Sequence, residues 1–162
     1  MKKYLFIFTV LWSVCTFSQQ LRTEIYETEN YSIETPDTWK VTNDQGIVNI
    51  FPTNQIGAIT ISEYHHLDLP KSEVKNFILA LYHSSDDEKK VKNTGSKKGF
   101  SEYQYEYFDE KEKLFWFTKV YQKNTDLFLL TINCQQKHWN GNYMKLFKES
   151  FDSFKIKKIN DY

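Results

Sequence analysis

His65 and His66 stand side by side, flanked by Glu63 and Asp68, and imidazoles next to carboxylates are the donor set of a divalent-metal site. Adjacent side chains on an extended chain point to opposite sides, so both rings reach one ion only if the backbone turns between them. Without that turn they are an ordinary exposed loop pair. Cys134 and His138 offer a second combination, a thiol nucleophile with a base. Their interval spans an expected strand end and the polar stretch Gln135-Gln136-Lys137, and no third orienting group is apparent, so Cys134 reads as a buried apolar residue. His83 falls where a helix should end and suits a C-terminal cap. Asp86-Asp87-Glu88 and Asp109-Glu110 sit in expected turns as solvated tips, and one sequence cannot pick out two carboxylates facing each other across a cleft. The nucleophile elbow G-x-S-x-G, the zinc motif H-E-x-x-H, the P-loop and the dinucleotide glycine pattern do not occur. With five glycines in all, there is little to build a phosphate cradle from. The chemistry-bearing residues therefore lean away from an enzyme and imply no cofactor.

Aromatic residues make up 17% of the chain and are the other candidates for function. Trp39, Tyr103, Tyr105, Tyr107, Trp116 and Trp139 could form a face for a protein partner, a peptide or a glycan, because Trp and Tyr give contact area at low entropy cost. The competing assignment is the core of a Phe/Tyr-rich domain. In Ser101 to Phe108, the three tyrosines alternate with Glu102, Gln104 and Glu106, which puts Tyr103, Tyr105 and Tyr107 on one face of a strand. If that face is open to solvent, it is the best interaction patch in the chain.

The elements that must position these residues follow from periodicity. Residues 23–28, 31–35, 47–51 and 58–64 are β-branched or aromatic runs between turn signals such as Pro36-Asp37 and Asn43-Asp44-Gln45-Gly46, and predict strands. Between 70 and 83, Val74, Phe77, Ile78 and Leu81 recur at helical spacing, with Pro70 in the first turn and Asp68 placed to cap it. Residues 97–108, 113–122 and 127–134 predict a meander of long strands with short polar connections. The last two are apolar on both faces, so helices or loops must cover both sides of part of the sheet. Tyr143, Phe147, Phe151 and Phe154 mark a second helix over 140–152, followed by a short strand at 154–157. The sum is an α+β fold, a mostly antiparallel sheet packed with two main helices.

The chain has 162 residues, a size that suits one domain, and 21 basic residues balance 21 acidic ones. Met1-Lys2-Lys3, the uncharged apolar run from Tyr4 to Phe17 and the small residues Thr16 and Ser18 have the order of a secretory signal over residues 1–18, cut before Gln19. That leaves 19–162 as a single domain with no transmembrane span, exported to the periplasm or exterior. Cys15 offers a competing reading as a lipid anchor at the membrane surface, but Trp12-Ser13-Val14 fits a lipoprotein signal poorly. With Lys2 and Lys3 gone, 19 basic residues face 21 acidic ones, which argues against nucleic acid as a partner. Cys134 is then the one cysteine, so no intrachain disulfide forms.

Two local signatures carry a resemblance. Tyr31-Ser-Ile-Glu-Thr-Pro-Asp-Thr-Trp39-Lys40 is similar to the opening strand, proline turn and tryptophan of the PsbP-like fold family, which includes photosystem-associated PsbP proteins and bacterial envelope proteins of the DcrB type. Glu149-Ser-Phe-Asp-Ser-Phe-Lys-Ile156 resembles that family's closing helix and strand, and the elements between occur in matching order over about residues 22–158. The resemblance implies a PsbP-like sandwich in a bacterial member of the family, acting as a secreted or membrane-associated accessory or assembly factor. No metal ligand is carried across, because no motif position matches one. The expected function is thus a secreted or periplasmic, non-enzymatic protein that binds another protein. The alternative is a small-ligand-binding or hydrolytic envelope module with its site near His65, His66 or Cys134.

Overall fold

The computed structural model describes residues 22–85 and 88–157. The expected signal over 1–18 and the anchor candidate Cys15 lie outside the described residues. No helix among those described is long and apolar enough to cross a membrane.

Ten strands and two helices follow in the order β1 (Thr23–Glu27), β2 (Tyr31–Pro36), β3 (Lys40–Asp44), β4 (Ile47–Phe51), β5 (Gly57–Tyr64), α1 (Val74–Leu81), β6 (Lys92–Lys97), β7 (Phe100–Asp109), β8 (Leu114–Lys123), β9 (Asp126–Gln135), α2 (Asn142–Asp152) and β10 (Lys155–Ile156). All pairings are antiparallel, and they build two sheets: a seven-stranded one ordered β3-β4-β5-β9-β8-β7-β6, and a three-stranded one ordered β1-β2-β10. Two hairpins have two-residue turns with both central residues in the left-handed region, Gln45-Gly46 (φ 50° and 83°) and Lys98-Gly99 (φ 52° and 83°). These turns match the right-handed twist of their strands, and glycine takes the second position without a Cβ penalty.

Residues paired directly across antiparallel strands share a face. On one face of the large sheet, Ile50, Ile59 and Ile132 meet Met144, Phe147 and Phe151 of α2 and the inner residues Tyr31 and Ile33 of β2. On the other, Tyr103, Val120 and Leu129 lie under Val74, Ile78 and Leu79 of α1. Strands β8 and β9 are therefore covered on both sides, which is why their sequences are apolar in both registers. Helix α2 comes so close to β5 that a Cβ on Gly57 would sit 3.2 Å from the Phe147 ring and 2.3 Å from the Asn133 carbonyl oxygen of β9.

The two signatures, far apart in sequence, meet here. Trp39 packs on Phe147 with ring centroids 4.6 Å apart, and Tyr31 packs on Phe154 at 5.2 Å. Ser153 Oγ accepts the Glu34 N–H at 2.8 Å and donates to the Ser150 carbonyl at 2.6 Å, while Lys155 and Ile156 extend β2 as β10.

Several expected elements are corrected. Residues 40–44 form a strand that periodicity did not show, and 92–97 form a separate strand ahead of the Lys98-Gly99 turn. Strands β1 and β2 leave the large sheet and make the small one with β10. Helix α1 starts at Val74 after a 3-10 turn over Lys71–Glu73, and neither start has a side-chain cap, so Asp68 does not act as one. His83 follows the C-cap residue Tyr82 and closes the helix through its backbone: at φ 47° its N–H reaches the Ala80 carbonyl, and the Ser84 N–H reaches that of Leu79. That pair of bonds closes the helix in a Schellman motif without the imidazole.

Candidate functional site

The tyrosine row faces α1, so most of it is covered. Tyr103 and Tyr105 are buried, whereas Tyr107 and Trp116, paired across β7 and β8, are half-buried at the sheet end past the helix. Tyr82 sits among them, with ring centroids 5.7 Å from Tyr105, 5.3 Å from Tyr107 and 5.6 Å from Trp116. Its hydroxyl bonds Thr118 Oγ1, and the Tyr105 hydroxyl donates to Ser84 Oγ at 2.9 Å. Burial pushes the Tyr82 phenol up to about 12. Trp39 is buried on Phe147 on the other side of the sheet, so the candidate aromatics do not form one surface. Trp139 is half-buried against the same α2-side core as Trp39, stacked on Phe115 at 4.7 Å.

Cys134 is fully buried in the α2-side core, and burial raises its thiol above the usual range. A nucleophile needs the opposite, an accessible sulfur with a lowered pKa. Among the described residues, the Cys134 Sγ donates to its neighbour's carbonyl, Gln135 O, at 3.6 Å and makes no bond to His138.

His65 and His66 part company at the end of β5. His66 has φ 58° and is exposed. His65 is held from both sides: Nδ1 lies 2.9 Å from Asp126 Oδ1 at the start of β9, and Nε2 lies 3.2 Å from Glu63 Oε2. Asn30, in the turn between β1 and β2, donates Nδ2 to the same Glu63 oxygen at 2.8 Å. The hydrogen bond with Asp126 is the main reason the imidazole pKa rises; desolvation opposes it, and Glu63 adds to the rise. Asn30 and Asp126 were invisible as members of this cluster, since the chain brings them in from distant turns. Among the described residues, no three His, Cys, Asp or Glu side chains converge on one metal position.

A groove of about 450 Å³ runs between the outer face of β1–β2 and α2. Thr23, Glu34 and Pro36 line one side, and Asn142, Leu146 and Glu149 the other. Both carboxylates are answered by lysines, Glu34 by Lys155 at 3.6 Å and Glu149 by Lys145 at 3.8 Å. Strand β1 borders this groove as an edge strand with Ile25 65% exposed. No periodic signal marked the groove, because its lining alternates with core residues on elements assigned for their buried faces.

No family model matches the chain, and no curated protein does. Solved structures do. The chain is similar to the cyanobacterial PsbP protein (CyanoP) of Synechocystis sp. PCC 6803, with a TM-score of 0.63 and 13% identity over 90% of this chain and 99% of that one. It is also similar to a protein of Bacteroides thetaiotaomicron VPI-5482, with a TM-score of 0.53 and 13% identity over 81% of this chain and 46% of that one. The chain has a PsbP-like α+β fold.

Proposed function

We propose that this PsbP-like domain is a non-enzymatic accessory protein exported from the cytoplasm, and that it holds an extended segment of a partner protein along the groove between β1–β2 and α2. The observation that carries this reading is the strand β1 beside the groove, at the edge of its sheet among the described residues, with the Ile25 side chain exposed. An edge strand offers main-chain hydrogen bonds to an added strand, and an adjoining groove selects its side chains. Paired charges on the rim and Pro36 with Leu146 within the groove suit a segment of mixed polar and apolar residues. The signal-like order of residues 1–18 supports export, and the resemblance to PsbP-like accessory factors supports the absence of catalysis. A hydrolytic role fits less well, since Cys134 is buried and the groove carboxylates are ion-paired.

The test is affinity capture from envelope extract with the tagged protein, beside Ile25→Glu and Leu146→Glu variants whose thermal melts match the parent. The expected result is one partner enriched by the parent and lost with both variants. Enrichment unchanged in the variants, or capture of a small molecule alone, refutes the reading.

A further inference from the structure

Three polar side-chain groups from two separate parts of the chain converge at the end of β5. The Asn30 amide lies 2.8 Å from Glu63 Oε2 and 3.5 Å from His65 Nε2, and Glu63 Oε2 lies 3.2 Å from His65 Nε2. Donors bound to one ion at about 2.0–2.1 Å stand roughly 3.0 Å apart in an octahedron and roughly 3.3 Å in a tetrahedron. The triangle is thus the size of one face of a coordination shell. An amide oxygen and nitrogen differ little in shape, so a half-turn of the Asn30 side chain puts Oδ1 at this corner.

On the far side of the imidazole, Asp126 Oδ1 stands 2.9 Å from Nδ1. A carboxylate there holds the proton on Nδ1 and fixes the ring plane, as in the outer shell of histidine metal sites, so that an ion takes the place of the proton shared between Nε2 and Glu63. Charge is favourable too, with Glu63 and Asp126 both facing the ring. Lys157, whose backbone N–H bonds the Asn30 carbonyl, spends its ammonium on Glu27 at 2.6 Å and on the Thr28 carbonyl.

We propose that Asn30 Oδ1, Glu63 Oε2 and His65 Nε2 form a binding site for a divalent first-row transition ion, with Asp126 as the positioning carboxylate. One imidazole and two oxygens suit a borderline ion such as Zn²⁺, whereas Ca²⁺ and Mg²⁺ take shells of oxygen. His65 is 39% exposed, so the remaining coordination positions open to water. The ion ties the β1–β2 turn of the small sheet to the end of β5 in the large one. Binding to the folded state alone raises its stability by mass action. This site is independent of the groove and of any partner bound there.

Calorimetric titration of the purified protein with Zn²⁺, and in parallel with Ca²⁺, tests the proposal. The expected result is one Zn²⁺ per chain and no Ca²⁺ site, with the melting temperature raised by Zn²⁺. His65→Ala abolishes the site, Asp126→Asn weakens it about 10- to 100-fold, and His66→Ala leaves it unchanged. No Zn²⁺ binding by the parent, binding retained in His65→Ala, or equal loss in His66→Ala overturns it. Should a variant misfold, the parent answers directly: Co²⁺ must first broaden the NMR signals of the His65 ring and the Asn30 amide. Broadening that begins elsewhere refutes the site.

Discussion

Replacing Gly57 with alanine isolates the cost of holding α2 close to the sheet. The added Cβ meets the Asn133 carbonyl oxygen at 2.3 Å, the Cys134 Cα at 3.2 Å and the Phe147 ring at 3.2 Å. The first two are backbone atoms of β9, the strand paired with β5 in the middle of the large sheet, so no rotamer change relieves them. Relief requires β5 to draw back from β9 by most of an ångström at this position. Overpacking of that kind costs about 1–3 kcal/mol, and weakening one ladder hydrogen bond adds about 1 kcal/mol. The expected loss is about 2–4 kcal/mol, a large share of the roughly 5–15 kcal/mol that holds an ordinary domain together. At about 2–4 °C per kcal/mol for a chain of this size, the melting temperature falls by about 5–15 °C. Gly99→Ala is the control, because its Cβ meets nothing closer than 3.9 Å and the cost is that of φ +83° alone, about 1 kcal/mol. Urea unfolding should show a lower midpoint for Gly57→Ala at unchanged slope. A loss under about 0.5 kcal/mol, or one no larger than that of Gly99→Ala, refutes the steric argument.

Two further outcomes follow from buried polar groups. The Lys119 stem lies among Phe117 and Phe151, with Nζ 5.3 Å from the Phe151 ring centroid and 2.7 Å from Asp152, itself 69% exposed. Lys119→Met should leave stability within about 1 kcal/mol of the parent or raise it, because a well-packed apolar chain replaces a half-solvated pair; urea midpoints check this, and a loss above about 2 kcal/mol contradicts it. Burial raises the Tyr82 phenol to about 12, and raises those of Tyr31 and Tyr121 further. The folded state therefore keeps these protons: their stabilising effect is complete below the unfolded pKa of about 10 and is lost as pH rises through the folded values. Residue-resolved NMR of the phenol rings should show Tyr31, Tyr82 and Tyr121 ionising only together with unfolding above that range, and ionisation of any of these three in a still-folded protein near pH 10 would contradict it.

Legibility in the sequence followed burial. The helix over Val74–Leu81 showed itself because Val74 and Ile78 are buried on one stripe, although Leu79 and not Leu81 completes it, with Leu81 40% exposed. In the same way Phe147 and Phe151 announced α2, while Met144 rather than Tyr143 is their buried companion. Strands β3 and β6 were unreadable for the converse reason: Lys40–Asp44 is exposed throughout and Lys92–Lys97 almost so, and each is an edge strand held by backbone pairing on one side. Lysines suit such an edge because they discourage a further strand from adding. Around His65, the neighbour Glu63 was legible from spacing alone. Asn30 and Asp126 depend on which turns the topology stacks at that end of the sheet, and no local pattern encodes that.

The pairing of β2 with β10 has a consequence in time. Ser32 and Tyr31 wait for Lys155 and Ile156, so the small sheet closes only after more than a hundred further residues exist, and Trp39 and Tyr31 find Phe147 and Phe154 across the same interval. Contacts of such separation are entropically late and slow to form. During synthesis the N-terminal strands have no complete core to join until α2 and β10 are free to pack. Any pathway that handles this chain unfolded has that whole interval in which to engage it.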